Sequence, residues 1–370
     1  MSPITIVMLI FSLLGAADLM IGNKLGLGEQ FERGFKLLGA MALSMIGMIV
    51  LAPVIAEVLR PAIDGLIKII PIEPSVIPAM VLANDMGGAP LAMEFASGEQ
   101  VGYYNGLIVS AMMGVTISFT LPFAMGVVVK EKHDSLMLGL LCGIVTTPIG
   151  CFVSGLICAL PLKELLASLI PLLIFAGLIA VALFLAPKIS LKVFKSFGVV
   201  IKILIIIGLA IGIFESLTGV DIPYTAPISD GFTICANAAM VLSGAFPLMY
   251  VLSKILDKPM QKIGKKMGIN SVATVGLLSI LATSAAAFGN MKDMDEKGAM
   301  LNSAFSVSAA FVFGGHLAFT MSFNPEYVTG MIIGKIVAGI TSLFVAILLY
   351  KMMNKTNVEE IVAQTDELSA

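Results

Sequence analysis

The sequence predicts an all-α integral membrane protein with about nine full transmembrane helices and two re-entrant hairpins, arranged as two inverted repeats about 197 residues apart. Of its 370 residues, 58% are hydrophobic and only 12% are charged, and the mean hydropathy is +1.02. No soluble globular class has this composition. The apolar residues also fall into runs of about 20, the length that crosses a bilayer as a helix. The third observation is an internal repeat.

Nine apolar runs are long enough to cross a bilayer as helices. They lie near 3–22, 37–59, 100–129, 134–160, 164–187, 196–216, 228–254, 298–322 and 327–350. Two further apolar runs, 74–95 and 270–290, are interrupted by polar residues. Each of them either crosses the membrane fully or enters and leaves on one side as a hairpin.

The repeat appears when the sequence is compared with itself at an offset of 197. Acidic, asparagine and glycine residues then coincide, among them Asp18 with Glu215, Glu99 with Glu296, Asn105 with Asn302 and Gly47 with Gly244. The predicted organisation is repeat 1 over 1–162 with hairpin 74–95, a linking span over 163–195, repeat 2 over 196–353 with hairpin 270–290, and a polar cytoplasmic tail over 354–370.

The distribution of basic residues favours hairpins over two further crossings. With hairpins and the N-terminus outside, 17 lysines and arginines of the loops and chain ends lie inside, and only Arg60, Lys68 and Lys163 lie outside. If both stretches crossed the membrane, the most uneven division would place 12 basic residues on one side and 8 on the other. Cytoplasmic loops are enriched in lysine and arginine, and an odd number of crossings between the copies makes them inverted. The sequence therefore predicts inverted repeats and a cytoplasmic C-terminus.

The first hairpin holds the best candidate for a binding residue. Its sequence, "PAMVLANDMGGAPLA" (78–92), places Asn84 and Asp85 before two glycines and a proline, which suit a bend. An ionisable side chain inside a membrane is costly and indicates function. The alternative is that Asp85 only caps a broken helix end.

The other candidate residues for substrate binding lie in the second hairpin and the spans that follow the hairpins. Asn105 and Asn302 either face the substrate or hold the hairpins in place, and His316 serves either proton coupling or packing. The predicted substrate-binding set is Asn84, Asp85, Asn105, Thr283, Ser284, Asn290, Asn302 and His316.

Several other polar features favour structural roles. Asp18 and Glu215 lie near span ends, and Glu57 can pair with Arg60 three residues on. Stretches 60–70 and 257–268 suit separate helices in the membrane interface. The four cysteines lack metal or disulfide spacing and are expected to pack in spans. No motif of a hydrolase, ATPase or dinucleotide enzyme is present, so we expect no enzyme activity, cofactor or metal.

Three long segments resemble the ethanolamine permease family of bacterial ethanolamine utilisation. They are "VLANDMGGAPLAMEFA" (81–96), "TTPIGCFVSG" (146–155) and "ATSAAAFGNMKDMDEKGAMLNSAFSVSAAFVFGGHLAF" (282–319). The resemblance covers essentially the whole chain. It implies a multi-pass protein of the bacterial inner membrane that carries ethanolamine into the cytoplasm.

A site between two hairpin tips is the expected binding place, with Asp85 holding the ammonium group of protonated ethanolamine. By analogy with other hairpin transporters, the hairpin domain slides against a scaffold that forms a homodimer. Ethanolamine and the lipid bilayer are the other expected partners, and nucleic acid is not. The alternative is a carrier of another small polar solute coupled to Na⁺ or H⁺.

Overall fold

The computed structural model describes residues 3–70 and 72–369, and the side chains of these residues except 191 and 354–369. Within these ranges the chain forms helices and turns with no strand. The predicted tail, 354–370, therefore lies outside the described side chains, and the backbone of 354–369 continues the last helix to Ser369.

The helices follow one another along the chain in two sets joined by a single long helix. The first set is α1 (Pro3–Met20), α2 (Leu27–Lys36), α3 (Leu38–Ile69), α4 (Val76–Val81), α5 (Gly88–Phe95), α6 (Glu99–Tyr104), α7 (Leu121–Val127) and α8 (His133–Ile157). The linking helix is α9 (Leu162–Leu185). The second set is α10 (Pro187–Thr218), α11 (Ile228–Met267), α12 (Ser271–Ile280), α13 (Ser284–Gly289), α14 (Glu296–Ala309), α15 (Gly315–Phe323) and α16 (Val328–Ser369). Two π-helical runs, Asn105–Gly114 and Thr116–Thr120, connect α6 to α7.

Eight helices in the described part of the chain are long and apolar enough to cross a membrane. They correspond to eight of the nine predicted spans, so the prediction of a multi-pass, all-helical protein is confirmed. The ninth, 298–322, was predicted as one continuous helix, and this is wrong. It is broken into α14 and α15 by a turn at residues 310–314.

The break at 310–314 is held by backbone hydrogen bonds to residues about 30 positions earlier in the chain. Phe311 adopts a left-handed φ of 63°, which a non-glycine residue enters at a cost of about 1–3 kcal/mol. Its N–H donates to the carbonyl of Ile280 at 3.1 Å, and the N–H of Phe313 donates to Leu281 at 2.8 Å. Backbone that leaves a helix inside a membrane must find such partners within the protein.

The two predicted hairpin stretches both consist of short helices joined by a turn. In 74–95, α4 and α5 flank a 3-10 turn at Asn84–Met86, and Gly87 follows with a φ of 103° that favours glycine. In 270–290, α12 and α13 flank a turn at 281–283. None of these helices exceeds 10 residues, so none reaches the roughly 20 needed to cross alone.

The predicted interfacial helices at 60–70 and 257–268 are not separate elements. They form the last turns of α3 and α11, which continue through Pro61 and Pro259. A proline removes one helical hydrogen bond and tends to bend a helix. In this chain each proline lies within the helix without ending it.

Asp18 and Glu215, which coincide in the repeat, have the predicted structural roles. The Asp18 carboxylate accepts the N–H groups of Leu25, Leu27 and Gly28 at 2.8–3.0 Å and so caps the start of α2. Glu215 accepts the N–H of Ile222 at 2.8 Å in the turn that follows α10. The exposed ion pair between Glu57 and Arg60, at 3.8 Å, is confirmed in the same way.

Two close helix crossings involve residues that are 197 positions apart. A Cβ atom on Gly47 of α3 would lie 1.7 Å from the carbonyl oxygen of Ile205 on α10. A Cβ on Gly244 of α11 would lie 2.1 Å from the carbonyl oxygen of Met8 on α1. Each glycine therefore allows two backbones to touch, and the same contact occurs once in each half of the sequence.

The helices fall into two packed groups. In the first, which we call the glycine-crossed group, α1, α2, α3, α10 and α11 pack mainly on one another. In the second, the hairpin group, α4–α9 and α12–α16 surround the π-helical runs. Three of the four cysteines are buried as predicted, Cys142 and Cys151 in the hairpin group and Cys235 on α11 of the glycine-crossed group.

Candidate functional site

Three interruptions of regular helix lie close together in the structure: the break at 310–314 and the turns of the two hairpin stretches. The break at 310–314 donates hydrogen bonds to the end of α12, at the turn of the second hairpin stretch. On its other side, the break leads to Gly315, where a Cβ atom would lie 3.8 Å from Oδ2 of Asp85. The break therefore touches both hairpin stretches.

A cavity of about 240 Å³ lies at this junction. This is well above the roughly 30 Å³ that one water occupies in the liquid. Its lining comes from the first hairpin stretch, a π-helical run, the 310–314 break and α15, with one residue from the glycine-crossed group. These residues are Ser44, Ala83, Asp85, Met86, Val115, Phe119, Phe311 and His316.

Asp85 provides the negative charge of the cavity. Its side chain is partly exposed, and no lysine, arginine or histidine nitrogen lies within 4.0 Å of its carboxylate among the residues whose side chains are described. The carboxylate faces the start of α15, where the helix dipole places partial positive charge. A cation that entered the cavity would find a carboxylate with no ion-pair partner.

Aromatic rings form one wall of the same cavity. The rings of Phe119 and Phe311 meet edge to face at 5.7 Å, and the Phe311 ring lies 5.1 Å from the His316 ring. The faces of such rings attract ammonium groups. The cavity thus combines a carboxylate with aromatic surface, a combination suited to a small organic cation.

Lys335, near the N-terminal end of α16, lies behind His316 and is fully buried. Its ammonium group contacts Nδ1 of His316 at 3.2 Å and donates to the backbone carbonyl of Ala111. Asp85 and Cys151 are close enough to interact with it electrostatically. A lysine inside an apolar helix is expensive and indicates function.

Asn84, beside Asp85, is fully buried, and neither polar atom of its amide has a partner in the described part of the chain. Ser110, whose Oγ lies against Gly88 in the same hairpin stretch, is also buried without a partner. A buried polar group without a partner costs about 1–3 kcal/mol. Such groups around one carboxylate point to a binding role.

Asn105 and Asn302 hold the bases of the two hairpin stretches. Asn105 Nδ2 donates to Ser75 Oγ at 2.8 Å and to Ser168 Oγ at 3.0 Å. Asn302 Nδ2 donates to the carbonyl of Ala273 at 2.9 Å. These contacts favour the second of the two roles left open by the sequence, and neither residue lines the Asp85 cavity.

The candidates of the second hairpin stretch do not line the Asp85 cavity either. Thr283 caps α13 by accepting the N–H of Ala285 at 3.3 Å. Ser284 is buried without a partner in the described structure. Asn290 is exposed and borders a separate groove of about 420 Å³. Of the predicted set, Asp85 and His316 share the cavity, with Asn84 next to them.

Comparisons with known proteins identify the family. The family model described as "Ethanolamine utilisation protein, EutH" matches residues 2–349. The chain is also 43% identical to the "Probable ethanolamine permease EutH" of Listeria monocytogenes over 361 residues, 97% of each protein. The chain belongs to the EutH family.

The chain is also similar to other proteins over most of its length. The chain is 38% identical to the "Uncharacterized protein YxeR" of Bacillus subtilis over 90% of each protein. It is 37% identical to the "Probable ethanolamine permease EutH" of Salmonella typhimurium over 88% of this chain and 86% of the relative. No solved structure matches the chain.

Two residues of this EutH chain that shape the site were not among the predicted functional residues. Lys335 is the single charge in the apolar run "MIIGKIVAGI" (331–340), and the rule that selected Asp85 would have selected it too. Glu73 immediately precedes the first hairpin stretch. It is buried, and its carboxylate accepts hydrogen bonds from Ser75 and Ser97, at the two ends of the first hairpin stretch.

Proposed function

We propose that this protein is a carrier that brings ethanolamine, in its protonated form, across the bacterial inner membrane. The observation that carries the proposal is the Asp85 carboxylate, which borders a cavity without a cationic side chain within 4.0 Å among the described residues. The permease names of the relatives from Listeria and Salmonella support the choice of ethanolamine.

In this proposal each part of the cavity recognises one part of the substrate. Asp85 pairs with the ammonium group, which is charged at neutral pH as lysine is. The faces of Phe119 and Phe311 add cation–π attraction. The amide of Asn84 is buried beside the cavity lining and has no described partner; after a local rearrangement of the hairpin turn it would hydrogen-bond the substrate hydroxyl. The combination selects a short molecule with an ammonium group at one end and a hydroxyl at the other.

The proposed topology has inverted repeats, two re-entrant hairpins, an external N-terminus and a cytoplasmic C-terminus. The short helices of both hairpin stretches support it, as does the glycine contact that recurs at an offset of 197. The proposed site lies near the turn of the first hairpin, and the 310–314 break connects it to the turn of the second. A homodimer through the glycine-crossed group is part of the same proposal.

The test is uptake of labelled ethanolamine by proteoliposomes that contain wild type, Asp85→Asn or Asp64→Asn. Asp64 is an exposed residue of α3 and provides the matched control. We expect saturable uptake by wild type and Asp64→Asn. For Asp85→Asn the half-saturation concentration should rise roughly 10- to 100-fold, because hydrogen bonds to a charged group contribute about 1.5–3 kcal/mol.

Competition experiments separate the two ends of the substrate. Ethylamine retains the ammonium group and should inhibit wild-type uptake, whereas ethylene glycol retains only hydroxyls and should inhibit weakly. Equal uptake by wild type and Asp85→Asn, or equal inhibition by both compounds, would contradict the proposed site.

A further inference from the structure

The buried Lys335 presents a problem of charge that the proposed binding mode leaves unsolved. When ethanolamine binds as an ammonium ion beside Asp85, two cations and one carboxylate lie close together, and one of the cations, Lys335, is fully buried. A net charge in such a place is costly. One of the two cations must therefore lose its proton or leave.

The contacts of Lys335 suit a neutral amine as well as an ammonium ion. A neutral amine has two N–H groups, and the described structure offers two acceptors, the Ala111 carbonyl and Nδ1 of His316. An ammonium ion has a third hydrogen, for which no acceptor is found among the described residues. In the neutral form, both N–H groups of Lys335 would therefore have an acceptor.

Among the carboxylates of the described residues, Asp85 is the one whose charge favours the charged form of Lys335. The titratable groups that face Lys335 are Asp85 in the first hairpin stretch, His316 on α15 and Cys151 on α8. No carboxylate of the described residues lies within 4.0 Å of its Nζ. Asp85 is therefore the one described carboxylic acid that faces Lys335. It is also the residue that the ammonium group of the substrate would contact.

We propose that Lys335 is the proton-exchanging group of this carrier, and that the ammonium group of the substrate and the proton of Lys335 compete for Asp85. In the empty carrier, Lys335 is protonated and balances the Asp85 carboxylate. When an alkylammonium ion binds Asp85, a proton leaves Nζ of Lys335 to the water on that side. His316 lines the cavity and contacts Nζ, so it lies on the path of that proton.

The inference rests on the proposed function and adds that substrate transport is coupled to proton transport. On release of the substrate, Lys335 takes a proton from the water on the other side. One alkylammonium ion moves inward and one proton moves outward in each cycle, and the site carries the same charge when empty and when loaded. Transport is then electrically neutral, and a gradient of one pH unit, acidic inside, supports about tenfold accumulation.

The test measures initial uptake of labelled ethanolamine by proteoliposomes at about pH 6, where little neutral amine is present to leak. Uptake by protein-free liposomes is subtracted. Valinomycin with a potassium gradient sets a membrane potential that is negative inside. Wild-type uptake should not change with the potential, and it should follow the pH gradient.

Lys335→Met removes the exchanging proton. Its uptake should become dependent on the potential, with about tenfold accumulation per 59 mV, and should stop responding to the pH gradient. Lys335→Arg keeps a permanent positive charge, because arginine is not deprotonated in proteins. It should be present in the membrane at the wild-type level and lose uptake.

Potential-driven accumulation by wild type would overturn the inference whether or not the variants fold. Continued electrically neutral uptake by Lys335→Met or by Lys335→Arg would also overturn it, because the substrate itself would then release the proton. These outcomes differ from a failure of the proposed function, in which wild type shows no saturable uptake under any gradient.

Discussion

The buried carboxylate of Glu73 should decide the stability of the first hairpin stretch. Its Oε1 accepts hydrogen bonds from Ser75 Oγ at 2.8 Å and from the N–H of Ser97 at 3.1 Å, and its Oε2 accepts from Ser97 Oγ at 2.5 Å. Ser75 precedes α4 and Ser97 follows α5. One side chain therefore closes the base of the hairpin stretch.

Glu73→Gln keeps the size of the side chain and removes its charge. A hydrogen bond to a charged group contributes about 1.5–3 kcal/mol and a neutral one about 0.5–1.5 kcal/mol. Over these three bonds, and because neighbouring bonds do not add fully, we expect a loss of about 2–4 kcal/mol. In thermal unfolding this corresponds to a decrease in Tm of roughly 5 °C.

The assay is thermal unfolding in detergent, followed with a dye that becomes fluorescent on reacting with thiols. The chain provides suitable reporters, because its cysteines are buried or partly buried. Glu94→Gln is the control, since Glu94 lies in the same hairpin stretch with an exposed side chain. If the Tm of Glu73→Gln equalled that of Glu94→Gln, the carboxylate would not hold the hairpin.

Three further predictions concern the break at 310–314, the carboxylate at the start of α14 and the aromatic wall of the cavity. Gly314→Ala would place a Cβ atom 2.2 Å from a backbone oxygen of the second hairpin stretch, so we expect a loss of about 1–3 kcal/mol in thermal unfolding, while Gly39→Ala, with nothing within 4 Å of its added Cβ, should behave as wild type. A hydrogen bond from Lys132 lowers the pKa of Glu296 from its usual 4.5; the stability that it contributes is present above the unfolded pKa and is lost as pH falls through the folded one. The difference in Tm between wild type and Glu296→Gln should therefore shrink as pH falls below 4.5, and a constant difference would refute this. Phe311→Leu should raise the half-saturation concentration for ethanolamine about 2- to 30-fold, the range expected for a lost cation–π contact; unchanged saturation of uptake would remove Phe311 from the site.

Hydropathy predicted the long helices because a run of apolar residues is visible without knowledge of its partners. The same property hid the break at 310–314, where Phe311 and Val312 are as apolar as the residues on either side. The break depends on hydrogen bonds to residues about 30 positions earlier in the chain. No local pattern reports such a contact.

The candidate site was predicted in part. Asp85 was found because a carboxylate in an apolar run is rare, whereas the burial of Glu73 depends on serines brought to it by the fold. Asn290 was assigned to the site because it ends the second hairpin stretch, but its side chain faces a different groove. The sequence predicted which helix or turn each residue belongs to. The packing of the helices determines which side chains contact one another.

The two glycine crossings leave no space between the helices that they join. At Gly47 and at Gly244 one backbone rests directly on another, so these helices cannot shear past each other by adjusting side chains, as ordinary helix pairs can. We therefore expect them to behave as a stiff frame. Ser44 is the one residue of this frame in the lining of the Asp85 cavity. A bound substrate would thus sit on the seam between a rigid body and a movable one.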